Sequence, residues 1–416
     1  MMDEVAVLKK LGPMARLELT NNILVYWQNH VIDKKYGGFI GRVAFDNTID
    51  SEAPKGSILN ARILWTFSSC FRLVGTERLK SLADSAYEYF TTHFFDERSG
   101  GVYWMLKSDG TVLDGRKHIY AQSFAIYALT EYYRIFGKMD ALERALTLYE
   151  LVESKSADRT NGGYFEAFSR DWELHDDSRL SDKDANEPKS MNTHLHLMEA
   201  YTNLYRCAAT PRLRDRLVSL IELFLEKIIA EDGSHLINFL DENWEARSET
   251  ISFGHDIEAS WLLMEAAGVV DDERLSEQVT MAATKLCHSV LHNGMDIDGG
   301  LMTEADRNGI TNDDKEWWPQ GEAAVGFLNI FELTGETKFL DAALNTWMFI
   351  DKHIVDLKYG DWLGRVDRNG KPYQDDKVNE WKCCYHNART CLEVISRTNR
   401  LLKERGYKIK TSIQPS

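Results

Sequence analysis

The sequence predicts an all-α fold, an (α/α)6 barrel of six helix pairs with short β-hairpins at one end. Three observations lead there. Glycine-containing loops recur at near-constant spacing, each interval holds two amphipathic helical patterns, and the first and last helices complete one pair. The loops are Tyr36-Gly37-Gly38-Phe39, Ser99-Gly100-Gly101-Val102-Tyr103-Trp104, Asn161-Gly162-Gly163-Tyr164-Phe165, Asp232-Gly233-Ser234-His235, Asp298-Gly299-Gly300-Leu301 and Tyr359-Gly360-Asp361-Trp362. Intervals from Gly37 through Gly100, Gly162, Gly233 and Gly299 to Gly360 are 63, 62, 71, 66 and 61 residues.

The elements follow in order. An opening helix is expected over 14–30. In the first interval, Ile58, Ala61, Leu64, Trp65 and Phe71 share one face of a helix over 57–74. Leu79, Leu82, Ala86, Tyr89 and Phe90 do the same over 77–94. Later pairs span 120–136 with 142–154, 191–208 with 213–229, 257–267 with 275–291, and 322–333 with 337–350. A last helix over 385–404 pairs with the opening one. Asp109-Gly110, Asn308-Gly309 and Asn369-Gly370 sit between polar–apolar alternations and read as hairpin turns. An open solenoid is the alternative, but it needs capping repeats with polar outer faces. Pairing the first and last helices removes that need. No Pro- or Ser-rich linker interrupts the chain, so one domain is expected over 1–416.

Composition narrows the function. A net charge of −16 over 416 residues speaks against nucleic acid and anionic membrane surfaces, and favours a neutral ligand. Eleven Trp, 17 Tyr and 18 Phe suit sugar stacking as well as a core. No window reaches the roughly 18 apolar residues of a membrane helix. The segment Met1 to Gly12 lacks the features of a secretory leader. Six scattered cysteines without a C-x-x-C pair read as reduced thiols in a cytoplasmic protein. A monomer is expected.

The candidate chemistry centres on Ser252-Phe253-Gly254-His255-Asp256-Ile257-Glu258. Ser252 and Gly254 suit a helix start, and the i, i+3 spacing puts His255 and Glu258 on one face. A histidine that only caps or packs is the bland alternative. A second histidine segment, Trp381 to Arg389 with His386, strengthens the catalytic reading. Two imidazoles in inner-helix segments suit proton removal on one face and delivery on the other. Arg62 has apolar neighbours on both sides, so it reaches solvent or serves a site. In Met191-Asn192-Thr193-His194-Leu195-His196, i and i+2 histidines point to opposite faces and cannot share a metal ion. Asn192 and His196, at i and i+4, match a cavity-facing pair. Trp317 and Trp318 beside Pro319 and Gln320 make a sugar platform, with one indole expected as a buried corner. Trp381 has the same two readings. No phosphate loop, dinucleotide fingerprint or G-x-S-x-G elbow is present.

These segments resemble the N-acylglucosamine 2-epimerase superfamily and, within it, the cellobiose 2-epimerases. The matching stretches are Leu59 to Trp65, Asn186 to His196, Gly254 to Glu258, Trp317 to Gln320, and Trp381-Lys382 through His386-Asn387. The resemblance implies an (α/α)6 barrel and a reaction without cofactor or metal. The reducing-end glucose of a β-1,4-linked disaccharide opens, loses its C2 proton, forms a cis-enediolate and regains a proton on the other face. Cellobiose would give glucosyl-mannose, and lactose epilactose. The resemblance implies His255 and His386 as the acid/base pair and His196 in ring opening or positioning. It implies Glu258 as the carboxylate bonded to the catalytic imidazole and Arg62 as the cation near O1 and O2. Tyr120, Asp184 and Asn192 would bind hydroxyls, and Trp318 and Trp381 would hold the disaccharide. Two departures stand out: Cys384 where proline is expected in Cys-Pro-Tyr, and Gly321 where alanine is commoner. Rival readings are a monosaccharide 2-epimerase or mannose isomerase, a glycoside hydrolase using Glu258, Glu322 or Asp184, and a non-catalytic sugar-binding protein.

Overall fold

A computed structural model describes residues 3–407. Met1 and Met2 of the segment read for a leader lie outside the described residues. The chain alternates outer and inner helices. The outer layer is α1 (Glu4–Glu18) with α2 (Leu24–His30), then α4 (Glu77–His93), α6 (Met139–Lys155), α8 (Pro211–Leu223), α10 (Glu273–Ser289) and α12 (Thr337–Phe349). The inner layer is α3 (Ser57–Val74), α5 (Ile119–Phe136), α7 (Met191–Tyr205), α9 (Phe253–Val270), α11 (Trp317–Thr334) and α13 (Tyr385–Glu404). Each inner helix packs on the next, and α13 packs on α3, which closes the ring. The last helix pairs with α1, as the sequence predicts. Hydrophobic packing runs without interruption from Val7 to Leu402.

The six glycine turns are real structural repeats. Each is closed by an antiparallel bridge: Ile32 to Phe39, Phe95 to Val102, Ala157 to Tyr164, Ile229 to Leu236, Met295 to Leu301 and Val355 to Trp362. Gly37, Gly100, Gly162, Gly233, Gly299 and Gly360 all have φ between 71° and 88°, where a Cβ is strained. In five repeats an aspartate after the first bridge residue pairs with a buried lysine. The pairs are Asp33–Lys55, Asp96–Lys117, Asp158–Lys189, Asp296–Lys315 and Asp356–Lys377, at 2.6–3.0 Å. The fourth repeat has Ala230 and Ile251 instead. Both partners are lost together, so no buried charge is orphaned.

Boundaries differ from the sequence reading where a breaker residue sits in a first turn. Helix α9 starts at Phe253, not at 257, and α11 at Trp317, not at 322. Pro319 is the third residue of α11, where no intrahelical acceptor exists for a missing N–H. Helix α1 begins at Glu4 and carries Pro13 inside it. Its buried face (Val7, Leu8, Leu11, Gly12 and Ala15) packs against α13 and offsets the lost bond. Single π-helical turns, Leu19–Ile23, Phe224–Ile228, Val290–Gly294 and Ile350–Ile354, extend four outer helices. Hairpins turn at Asp109-Gly110 and Asn308-Gly309, as expected. No helix among the described residues is long and apolar enough to cross a membrane.

Candidate active site

The inner helices share a register. Their sixth residues are Arg62, Phe124, His196, Glu258 and Glu322, and counting α13 from its cap Cys384 adds Arg389. On the same count His255 and His386 are both third residues, and Tyr120, Asn192 and Trp318 are second residues. One turn deeper, the ninth residue of α7 is Glu199. The first two turns of the inner helices therefore surround one cavity of about 1020 Å³. Their N-terminal ends face it, which biases the potential there toward developing negative charge.

The cavity brings together all ten residues given a role by the family resemblance: Arg62, Tyr120, Asp184, Asn192, His196, His255, Glu258, Trp318, Trp381 and His386. Trp318 touches both imidazoles, with ring centroids 4.8 Å from His255 and 5.6 Å from His386. Its indole N–H donates to Glu316 at 2.9 Å. Trp317 packs against the core with its indole Nε1 buried and also borders the cavity, so it is the nearer of the two to the buried corner that was expected. Buried Arg62 donates to Tyr120 Oη at 2.9 Å and to the Trp381 carbonyl at 3.2 Å, and its guanidinium lies 4.2 Å from the Phe124 ring. Its buried Nε is without a protein partner. Asp184 accepts the Ser181 N–H at 2.9 Å in the loop at the cavity rim. His194 takes no part in the cavity: its Nε2 accepts the Tyr164 N–H at 3.0 Å and its Nδ1 lies 2.7 Å from the Ser190 carbonyl.

The carboxylates are arranged differently from the expectation. Glu258 bonds Arg389, while His255 Nδ1 lies 2.7 Å from Ser252 Oγ. The i, i+3 spacing put Glu258 and His255 on one face, but Arg389 offers Glu258 a full charge at its own level. The imidazole–carboxylate contacts are His386 Nδ1 to Glu322 Oε1 at 2.7 Å and His196 Nδ1 to Glu199 Oε2 at 2.8 Å. Arg389 ties this layer together. It bonds Glu199 and Glu258, and donates to Glu322 at 2.7 Å. Tyr385 donates to Glu199 at 2.6 Å, and Trp261 to Glu322 at 3.0 Å. The sequence reading gave no role to Glu199, Arg389 or Trp261. For Glu199 and Arg389 the available signal was a charged residue at the ninth or sixth place of an inner helix, near the level of Glu258 and Glu322 on theirs.

Burial decides the protonation states. It pushes His255 down to about 3, with His196 adding to the effect. His386 is held well below the ordinary imidazole range by burial, with Arg62 and Arg389 adding to it. Both imidazoles are therefore neutral in the free site. Burial also works to raise Glu199, but Arg389, His196 and Tyr385 outweigh it and bring it to about 2. Burial raises Glu258 and Glu322; their mutual repulsion adds at Glu258, and Arg389 opposes the rise at both. Glu258, Glu322 and His386 bring ligand-type atoms within 4.8 Å of one another. Arg389 already bonds both carboxylates, so the place a metal ion would take is held by a cation of the protein.

The two departures are absorbed locally. Cys384 has φ −71°, the angle a proline would impose, so the turn keeps its shape. A Cβ on Gly321 would meet Thr390 Oγ1 at 2.3 Å, so glycine sets the close approach of α11 and α13.

The N-acylglucosamine 2-epimerase (GlcNAc 2-epimerase) family model matches residues 37–390. The chain belongs to this family. A cellobiose 2-epimerase of Bacteroides fragilis is 44% identical over 380 residues, covering 91% of this chain and 97% of that protein. One from Ruminococcus albus is 38% identical, over 92% and 97% of the two chains. The solved cellobiose 2-epimerase of Bacillus thermoamylovorans superposes with a TM-score of 0.89 at 38% identity, over 94% of this chain and 100% of that one. The family's barrel is thus the fold described above. A D-mannose isomerase at 21% identity, with a TM-score of 0.81, shares that fold.

Proposed function

We propose that this protein epimerises the reducing-end glucose of β-1,4-linked disaccharides at C2, as a cellobiose 2-epimerase. It is an epimerase acting on carbohydrates by family and by its 44% identity with a cellobiose 2-epimerase. One structural observation carries the site reading: two neutral imidazoles, from equivalent places on α9 and α13, both touch Trp318 and line one cavity with Arg62. After ring opening, aided by His196, one imidazole removes the C2 proton, which the C1 aldehyde acidifies. The enediolate charge on O1 and O2 is met by Arg62 and by the inner-helix N-termini. Rotation about C2–C3 presents the other face, and the second imidazole returns a proton. Tyr120, Asn192 and Asp184 bind hydroxyls. Trp318 and Trp381 stack on the two sugar rings.

The hydrolase reading needs two carboxylates free to flank a glycosidic bond. Glu199, Glu258 and Glu322 are instead bound to one guanidinium. Six free cysteines, five of them buried, support a reducing compartment, the cytoplasm.

Incubation with cellobiose in D2O, without added metal, tests the proposal by NMR. Glucosyl-mannose carrying deuterium at C2 is expected. Free glucose would mean hydrolysis. Conversion of N-acetylglucosamine or mannose but not cellobiose would keep the histidines and overturn the disaccharide assignment.

A further inference from the structure

We propose that Glu322 and His386 act as one acid–base unit in which the carboxyl stores the proton that the imidazole delivers, whereas His255 acts alone. The inference rests on the epimerase reading above and on a geometric asymmetry within it. The two histidines hold the same place on their helices, yet their Nδ1 atoms meet different groups. For His255 the partner is Ser252 Oγ, at the cap of its own helix, 2.7 Å away. For His386 it is Glu322 Oε1 on the neighbouring α11, also at 2.7 Å. A hydroxyl does not exchange a net proton near neutral pH, and a carboxyl can.

The surroundings of Glu322 leave room for that proton. Arg389 and His386 face it from α13, Trp261 and Glu258 from α9, and Glu199 lies beyond on α7. Three carboxylates share one guanidinium, so full ionisation would leave excess negative charge in a buried cluster. The upward push of burial on Glu322 agrees with this. Arg389 and Trp261 fix the carboxyl plane, which leaves Oε1 aimed at Nδ1.

The step balances as follows. Neutral His255 takes the C2 proton and becomes imidazolium, and the enediolate carries one negative charge. His386 gives its Nε2 proton to C2 on the opposite face while Nδ1 takes the Glu322 proton. The imidazole stays neutral throughout, and the negative charge passes from enediolate to Glu322. In the reverse direction Nε2 takes the C2 proton, Nδ1–H passes to the carboxylate, and His255 is the acid. One proton thus moves between Glu322 and His255 during turnover and rests on Glu322 in the free site, where both imidazoles are neutral. Neither imidazole becomes an imidazolate.

Glu322→Gln tests this. The amide oxygen keeps the Trp261 N–H, and its NH2, placed where Oε1 was, gives up the Arg389 contact and donates to Nδ1; that holds His386 as the Nε2–H tautomer, a donor that cannot act as a base. Cellobiose and glucosyl-mannose are incubated separately in D2O, and C2 exchange and epimer formation are followed by NMR. Wild type should exchange and interconvert both. E322Q should form the other epimer at least ~1000-fold more slowly, yet still exchange C2–H from one of the two sugars, the one whose proton faces His255. Loss of exchange from both sugars in a folded variant would give Glu322 a merely structural role and overturn the inference. So would interconversion near the wild-type rate. If E322Q does not fold, Glu322→Asp, which keeps a carboxyl but shortens its reach, should give the same one-sided exchange. Absence of any conversion by wild type would instead overturn the epimerase reading.

Discussion

Among the described residues the six inner helices carry two rings of largely polar side chains, and the upper one borders the cavity of the candidate site. The upper ring, at the sixth residues, is Arg62, Phe124, His196, Glu258, Glu322 and Arg389. The lower ring, seven residues further along, is Ser69, Glu131, Asn203, Glu265 and Asn329, joined by Arg397 of α13. Two helical turns, about 10 Å, separate them. Lower-ring groups bond largely to protein: Ser69 to Glu131 at 2.9 Å, Arg206 to Glu265 at 2.7 Å, and Arg397 to Asn329 at 2.9 Å and to Glu332 at 2.6 Å. Upper-ring groups are tied below by Arg389 but keep Arg62 and the imidazoles turned to the cavity. The same repeat position can therefore rigidify a barrel or arm it. What decides is whether the polar atoms meet each other or an open space.

The largest expected effect lies at the upper level. His255→Ala and His386→Ala should each lower kcat on cellobiose by at least ~1000-fold, the scale of a lost acid–base group. Thermal unfolding should be little changed, because each imidazole borders a cavity. Near-wild-type epimerisation by either variant would sink the two-base scheme. At the lower level the split should invert. Arg397→Met strips a buried cation from Asn329, Glu332 and Glu393. A loss of roughly 2 to 4 kcal/mol of stability is expected, because Glu332 keeps Arg400. The kcat should stay within about twofold. A stable Arg397→Met variant with impaired turnover would mean that the two rings are coupled.

The upper ring was only partly legible in the sequence. The glycine turns carried the repeat because positive φ forces the residue type, and the histidines stood out because imidazole is chemically distinctive. Glu199 and Arg389 did not stand out. Their roles exist only once helices distant in sequence are brought into register, and no local spacing connects α7, α9, α11 and α13. Glu258 was assigned to the wrong partner for the same reason: i, i+3 geometry says what shares a face, not what a neighbouring helix offers. Two helix starts were placed late, at 257 and 322, although a first turn tolerates Gly254 and Pro319. The π turns left no pattern, since one extra residue barely shifts an amphipathic stripe.

The smallest expected effect tests the contrast between adjacent places on one helix. Third residues His255 and His386 face the cavity, whereas fourth residues hold the glycine turns. Gln122 does so by accepting the Val102 N–H at 2.8 Å and donating to the Val102 carbonyl at 2.9 Å, and Gln320 does the same with Leu301 at 2.7 and 2.8 Å. His194 is the fourth residue of α7, and burial pushes it down to about 4. The unfolded chain binds its proton first, so its contribution is present above about pH 6.5 and is lost as pH falls toward 4. His194→Gln supplies the side chain that two sister helices already use and removes that titration. Between pH 7.5 and 5.5 the unfolding free energy of the variant should gain about 1.4 kcal/mol relative to wild type, measured by urea denaturation. A difference that does not move with pH would mean that His194 stays as easily protonated in the fold as outside it. The turn-holding place would then be open to solvent, and the contrast with the cavity-facing histidines would fail at its nearest point.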